Sequence, residues 1–148
     1  MPHAGLMDES ALGPVAGPLQ RAKLHIRGGR RRLRQGKISA GIVTLYDALI
    51  AAMTWYIAEL RHRDRLVIEK KDDLTDDKTL FLILRRSGVL DSSFDYTEFD
   101  NLVEEALESE MPDYDYSEML RKIESVMTQL GVMPFDEKAL PPEDPATY

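Results

Sequence analysis

Side chains able to do acid–base or metal chemistry are sparse and poorly spaced in this 148-residue chain. Its three histidines are His3, His25 and His62, and neither His25 nor His62 has a chelating partner at i+3 or i+4. There is no cysteine, which excludes disulfides, zinc–thiolate sites and thiol nucleophiles. No Ser/His/Asp set can be nominated. Carboxylates crowd the stretch from Asp91 to Glu118 so densely that no pair stands out as an acid and a base. The run RGGRRR at 27–32 is basic and contains glycine, but it follows no strand and lies inside a helical pattern, unlike a phosphate-binding loop. The expectation is a protein without a catalytic residue, a metal ion or a cofactor.

Two features remain that could carry a function. From Arg21 to Lys37 there are eight Lys or Arg residues and no acid, whereas Asp91 to Glu118 holds eleven acids and no base. Arg27, Arg30, Arg31, Arg32 and Arg34 therefore form a candidate patch for a nucleic acid or an acidic partner. Aromatic side chains are not interleaved with them, which argues against stacking on single strands. A cluster of cations repels itself, so the partition also predicts that Arg27, Arg30, Arg31 and Arg34 meet Glu104, Glu105, Glu108 and Glu110, within one chain or across a two-fold axis. The second feature is Asp47. It lies in the apolar segment Ile38–Leu60, where Glu59 is the only other charge. Its setting predicts a buried carboxylate held by a structural partner. The other reading makes Asp47 a polar point in a pocket beside Tyr46, Trp55 and Tyr56, aromatics that otherwise belong to a core.

The elements that would position these groups are helices. Residues 1–18, with three prolines and three glycines, read as a flexible arm. It lacks the basic start and apolar core of a signal peptide. Leu19, Ala22, Ile26, Gly29 and Leu33 then recur at steps of three and four, a helical stripe. Gly28-Gly29 either interrupts that helix or lets a neighbour approach closely, and the second reading is favoured. Gly36 closes it. Ser39 can cap a second helix from about Ala40 to about Arg65, apolar all round and hence central. Ile42, Leu45, Leu49, Met53, Tyr56 and Leu60 are its core candidates.

A third helix opens at Thr75 or Asp76 and stops at Gly88. Capping boxes at Asp95/Glu98 and Asp115/Glu118 open a fourth and a fifth, the last ending at Gly131. The Pro-rich tail from 132 to 148 should be loose or draped over the surface. About 20 apolar residues suffice to cross a bilayer. Against a membrane span stand Asp47 near the middle of the segment and basic clusters on both its flanks.

The segment LRQGKISAGIVTLYDALIAAMTWYI resembles the HEPN pattern of a Leu, a Gly a few residues on, then an Ala-rich helix with an internal Tyr. YDYSEMLRKIESVMTQL resembles the element before the last HEPN helix. The resemblance covers roughly residues 19–130 and implies a bundle that often dimerises. Ribonucleases of that family carry an Arg and a His four to six residues apart late in the bundle, and this chain has no His after His62. What the resemblance implies is thus a non-catalytic partner of a nucleotidyltransferase or of a toxin–antitoxin component. The sequence as a whole predicts an all-α antiparallel bundle of four to five helices over residues 19–131, around the long apolar helix. It is expected to act in the cytoplasm, off the membrane, as a homodimer or protein-interaction module. The alternative is a nucleic-acid-binding protein that uses the arginine-rich first helix.

Overall fold

The apolar segment determines the plan of the molecule. A computed structural model describes residues 12–147, which form five α-helices and no strand. They are α1 (Gly13–Arg34), α2 (Ile38–Ala58), α3 (Asp77–Arg86), α4 (Tyr96–Glu108) and α5 (Ser117–Gln129). Fourteen of the 21 residues of α2 are buried, so the other helices cover it on most of its circumference. By length and composition α2 could cross a bilayer, yet 67% of its most apolar window is enclosed by the rest of the protein. Ile42, Leu45, Leu49 and Met53 are fully buried, and Tyr56 is nearly so.

Two expectations about α2 are corrected. The helix stops at Ala58 instead of continuing to about Arg65, and Leu60, expected in the core, is 74% exposed. The cause is local. His62 stacks on Tyr56 with ring centroids 3.7 Å apart, and its Nδ1 lies 2.7 Å from the Tyr56 carbonyl oxygen. That carbonyl would otherwise accept the next helical N–H, so the ring replaces a turn of helix. A 3₁₀ turn over Leu60–Arg65 follows, entered through Glu59, whose carboxylate accepts from the Arg61 N–H.

α1 lies against α2 at a pair of glycines. A Cβ on Gly29 would fall 2.8 Å from Leu45 Cγ, and one on Gly41 2.8 Å from Leu33 Cγ. The two backbones approach there because neither residue carries a side chain, the favoured reading of Gly28-Gly29. α1 also starts earlier than expected, at Gly13, with Pro14 in its first turn and Pro18 accommodated inside it. The remainder of the expected arm, residues 1–11, lies outside the described residues.

Helix ends follow local chemistry closely. Gly36, at φ +79°, terminates α1, and Lys37 N–H reaches back to the Arg32 carbonyl. Gly88 and Gly131 end α3 and α5 likewise. Asp76 caps α3 by accepting from Thr79 N–H, and Asp95 caps α4 by accepting from Glu98 N–H. Two expected caps differ. Ser39 lies inside the first turn of α2 and donates to the Ser109 carbonyl (2.6 Å) just past α4. Asp115 accepts from Ser117 N–H but sits one residue ahead of the cap position of α5, held by Tyr116. The connector before α3 is pinned by Arg86, which donates to the Val67 carbonyl and pairs with Glu69 and Asp72.

Candidate functional site

The arginines of α1 are engaged within the chain, through partners other than those expected. Arg30 donates through Nη1 to Glu124 of α5 (3.0 Å) and through Nη2 to Glu137 (2.7 Å). Arg27 and Arg31 both hold Glu143, Arg27 at 3.1 Å to Oε1 and Arg31 through Nε to Oε2. None of these four contacts involves Glu104, Glu105, Glu108 or Glu110. The acids that meet α1 come from α5 and from the chain after it, which is draped over the helix and anchored by buried Leu140. Arg27 and Arg31 keep only 13% and 12% of their side-chain surface exposed. Arg32 is buried. Burial lowers its proton affinity, Arg31 adds to that, and Glu143 opposes it. Of the five candidate arginines, Arg34 is the exposed one.

The expected polar point is also corrected. Asp47 is half-buried, with no hydrogen bond or ion pair among the described residues. The polar partnership belongs to its neighbour, which is half-buried as well. Tyr46 donates its hydroxyl to Asp77 Oδ2 (3.1 Å) and lies 3.4 Å from the Tyr96 hydroxyl. Burial first, then these contacts, hold the Tyr46 hydroxyl far above the usual tyrosine range. Trp55 and Tyr56 are buried and pack edge-to-face, with His62 against both. They do not form a pocket with Tyr46, whose ring packs toward Phe99 on the α4 side.

A concave site does exist, between α4 and α5. It is a cleft of about 350 Å³ with a floor of Phe94, Phe99, Leu102, Tyr114 and Met119. Its rim carries the carboxylates of Asp95, Glu98, Glu105 and Glu118, with Lys122 the one cation. The negative field is felt at Tyr114: burial raises the pKa of its hydroxyl, and Glu98, Asp115 and Glu105 raise it further. Such a cleft suits a ligand with an apolar face and positive charge, because cations gain both from the carboxylates and from the aromatic faces. Among the described residues, no three His, Asp or Glu side chains cluster for a metal ion.

Sequence reasoning passed over this cleft because its acids look like an ordinary solvated face. The sign that could have exposed it was the aromatic content, Phe94, Phe99 and Tyr114, threaded through the most acidic stretch. Glu137 and Glu143 lie outside the densest acidic run, in the Pro-rich tail, where no periodicity marks their role. No protein-family model, curated protein or solved structure matches the chain.

Proposed function

We propose that the chain is a non-catalytic helical interaction module whose α4–α5 cleft receives a basic amphipathic segment. The observation that carries this reading is the apolar floor of the cleft beneath four rim carboxylates. The chain itself offers such a segment. Around the 3₁₀ turn, Leu60 and Val67 are 74% and 52% exposed, and Arg61, Arg63 and Arg65 project beside them. A second copy supplying Leu60–Val67 makes the module a homodimer, and a heterologous partner would present the same chemistry. The HEPN-like reading, with a nucleotidyltransferase or toxin–antitoxin partner in the cytoplasm, belongs to the same proposal. So does an antiparallel arrangement of the bundle. It is supported by Gly29 meeting Gly41 and Leu45 while Gly17, Pro18 and Arg21 share a hollow with Ile50, Ala51 and Thr54. The nucleic-acid reading ranks second, because Arg27, Arg30 and Arg31 already hold carboxylates and Arg32 is buried.

Light scattering coupled to size exclusion tests the dimer, with two charge-reversed chains: Glu98→Lys with Glu105→Lys, and Arg61→Glu with Arg63→Glu and Arg65→Glu. Each alone is expected to be monomeric. Their mixture should form a heterodimer, since each reversed segment then faces a complementary cleft. A parent chain that stays strictly monomeric at high micromolar concentration removes the homodimer. Binding of a duplex or single-stranded RNA that survives Arg30→Ala with Arg31→Ala, Arg32→Ala and Arg34→Ala removes the arginine-helix alternative.

A further inference from the structure

Two guanidinium groups near the end of α1 hold one carboxylate, and a third, that of Arg32, follows next in the chain. Glu143 forms ion pairs through Oε1 with Arg27 Nε and through Oε2 with Arg31 Nε, and of these Arg27 Nε makes no hydrogen bond among the described residues. Arg32 feels the same carboxylate electrostatically, yet its buried Nη1 has no hydrogen-bond partner among the described residues. Nη1 points along the bare surface of Gly28, where a Cβ would come within 2.9 Å of it. Leaving a buried cationic donor unmatched costs the desolvation of that group, so its occurrence calls for an explanation. Geometry supplies one. A planar carboxylate has two oxygens and can satisfy two forks, while a tetrahedral oxyanion brings a third and a fourth.

We propose that Arg27, Arg31 and Arg32 form a binding site for a phosphate monoester, which Glu143 of the same chain occupies until the ligand displaces it. Phosphate suits the site in charge and in shape, because guanidinium forks pair with its oxygens bidentately. The site is narrow and largely enclosed, as the low exposure of Arg27 and Arg31 shows, so it fits a terminal phosphate better than the backbone of an extended polymer. It shares no residue with the α4–α5 cleft and stands or falls separately. Displacing Glu143 also breaks the ion pairs by which that carboxylate holds the segment 141–147 to α1. Ligand binding is thereby coupled to release of the strap.

Calorimetric titration of the full chain and of Glu143→Gln, at matched ionic strength, tests the assignment with inorganic phosphate, adenosine monophosphate and acetate. Glu143→Gln removes the competing charge and keeps the shape. It should bind phosphate at least about tenfold tighter than the parent, the scale of one charge-assisted hydrogen bond. Acetate should bind neither chain measurably. Adding Arg32→Lys to Glu143→Gln should cancel the gain, because a lysine keeps the charge but loses the fork. Should that variant melt, Arg27→Gln on the more open side of the site carries the same readout. Adenosine monophosphate binding as tightly as inorganic phosphate supports the monoester. Its exclusion while inorganic phosphate binds overturns that assignment. Equal phosphate affinity in parent and Glu143→Gln, or acetate binding as well as phosphate, overturns the site. Hydrogen exchange over residues 141–147 should rise on phosphate binding, and unchanged exchange overturns the coupling.

Discussion

At Gly41 the absence of a single methyl group sets how closely two helices approach. Its missing Cβ leaves room for Leu33 Cγ, and the Gly29 carbonyl oxygen lies 3.2 Å from the Cβ position. Gly41→Ala gains about 1 kcal/mol of helix propensity, but overpacking at such a contact costs about 1–3 kcal/mol. The clash involves the branch point of a leucine and a backbone oxygen, neither free to move aside, so net destabilisation of about 1–2 kcal/mol in urea unfolding is expected. Removing the opposing side chain should reveal the cause. In a Leu33→Ala background, itself about 2–5 kcal/mol less stable, Gly41→Ala should cost close to nothing. Full additivity would mean that the contact is not what matters. Tyr46 makes a second prediction at this scale. Its hydroxyl is kept protonated in the fold, so the stability it confers is complete below the ordinary tyrosine range near pH 10 and is lost as pH rises above it. Unfolding monitored from pH 8 to 11 should show a decline that is shallower for Tyr46→Phe. Tyr96 and Tyr114 are shifted in the same direction, so the decline should not vanish.

Among the elements, what was legible in the sequence is what local chemistry decides. Gly36, Gly88 and Gly131 mark helix ends because only glycine takes up their left-handed backbone without strain. Asp76 and Asp95 mark helix starts because a carboxylate one position ahead of a helix satisfies an orphan N–H. The core of α2 was equally plain from its uninterrupted apolar run. Some errors came where a side chain had a distant alternative, and others, as at His62 and Tyr56, where a local contact ended a helix early. Ser39 caps well in isolation, but its hydroxyl goes to Ser109, 70 residues away. Ser39→Ala should therefore cost about 0.5–1.5 kcal/mol, the worth of one such bond, and should loosen the end of α4. Amide exchange near Ser109 that stayed as slow as in the parent would contradict this. The partners of the arginines were illegible for the same reason. Arg30 and Glu137 are 107 positions apart, and the sign of a charge does not say which of 26 acids it will meet.

Across the whole molecule, the bundle depends on a core helix that tolerates no charge on its fully buried face and on a strap over its first helix. Leu49 is fully buried, and Leu49→Asp leaves a carboxylate without compensation there, so the variant should be unfolded at room temperature by circular dichroism. A parent-like melt would refute the central role of α2. The contacts of Arg30 with Glu124 and Glu137 join α1, α5 and the tail. Partly exposed pairs contribute about 0–1 kcal/mol each and are screened by salt. The melting temperature should thus fall from low salt to about 0.5 M NaCl, where the Debye length shrinks to a few ångströms. Glu137→Gln should flatten that response, and a curve as steep as the parent's would show that the tail contact adds nothing.

The ring of His62 that closes α2 has an optical consequence. Trp55 is the sole tryptophan of the chain, 7% exposed, with the His62 imidazole edge-on at 5.3 Å. Its emission therefore reports on one joint, the place where α2 gives way to the Leu60–Arg65 turn. Far-ultraviolet dichroism, by contrast, averages over all the helices. If the joint opens before the bundle does, water reaches the indole and the emission moves to the red while the helical signal is still intact. Coincident transitions would instead make the joint part of the cooperative core. One fluorophore, already in place, separates local melting from global unfolding without any label.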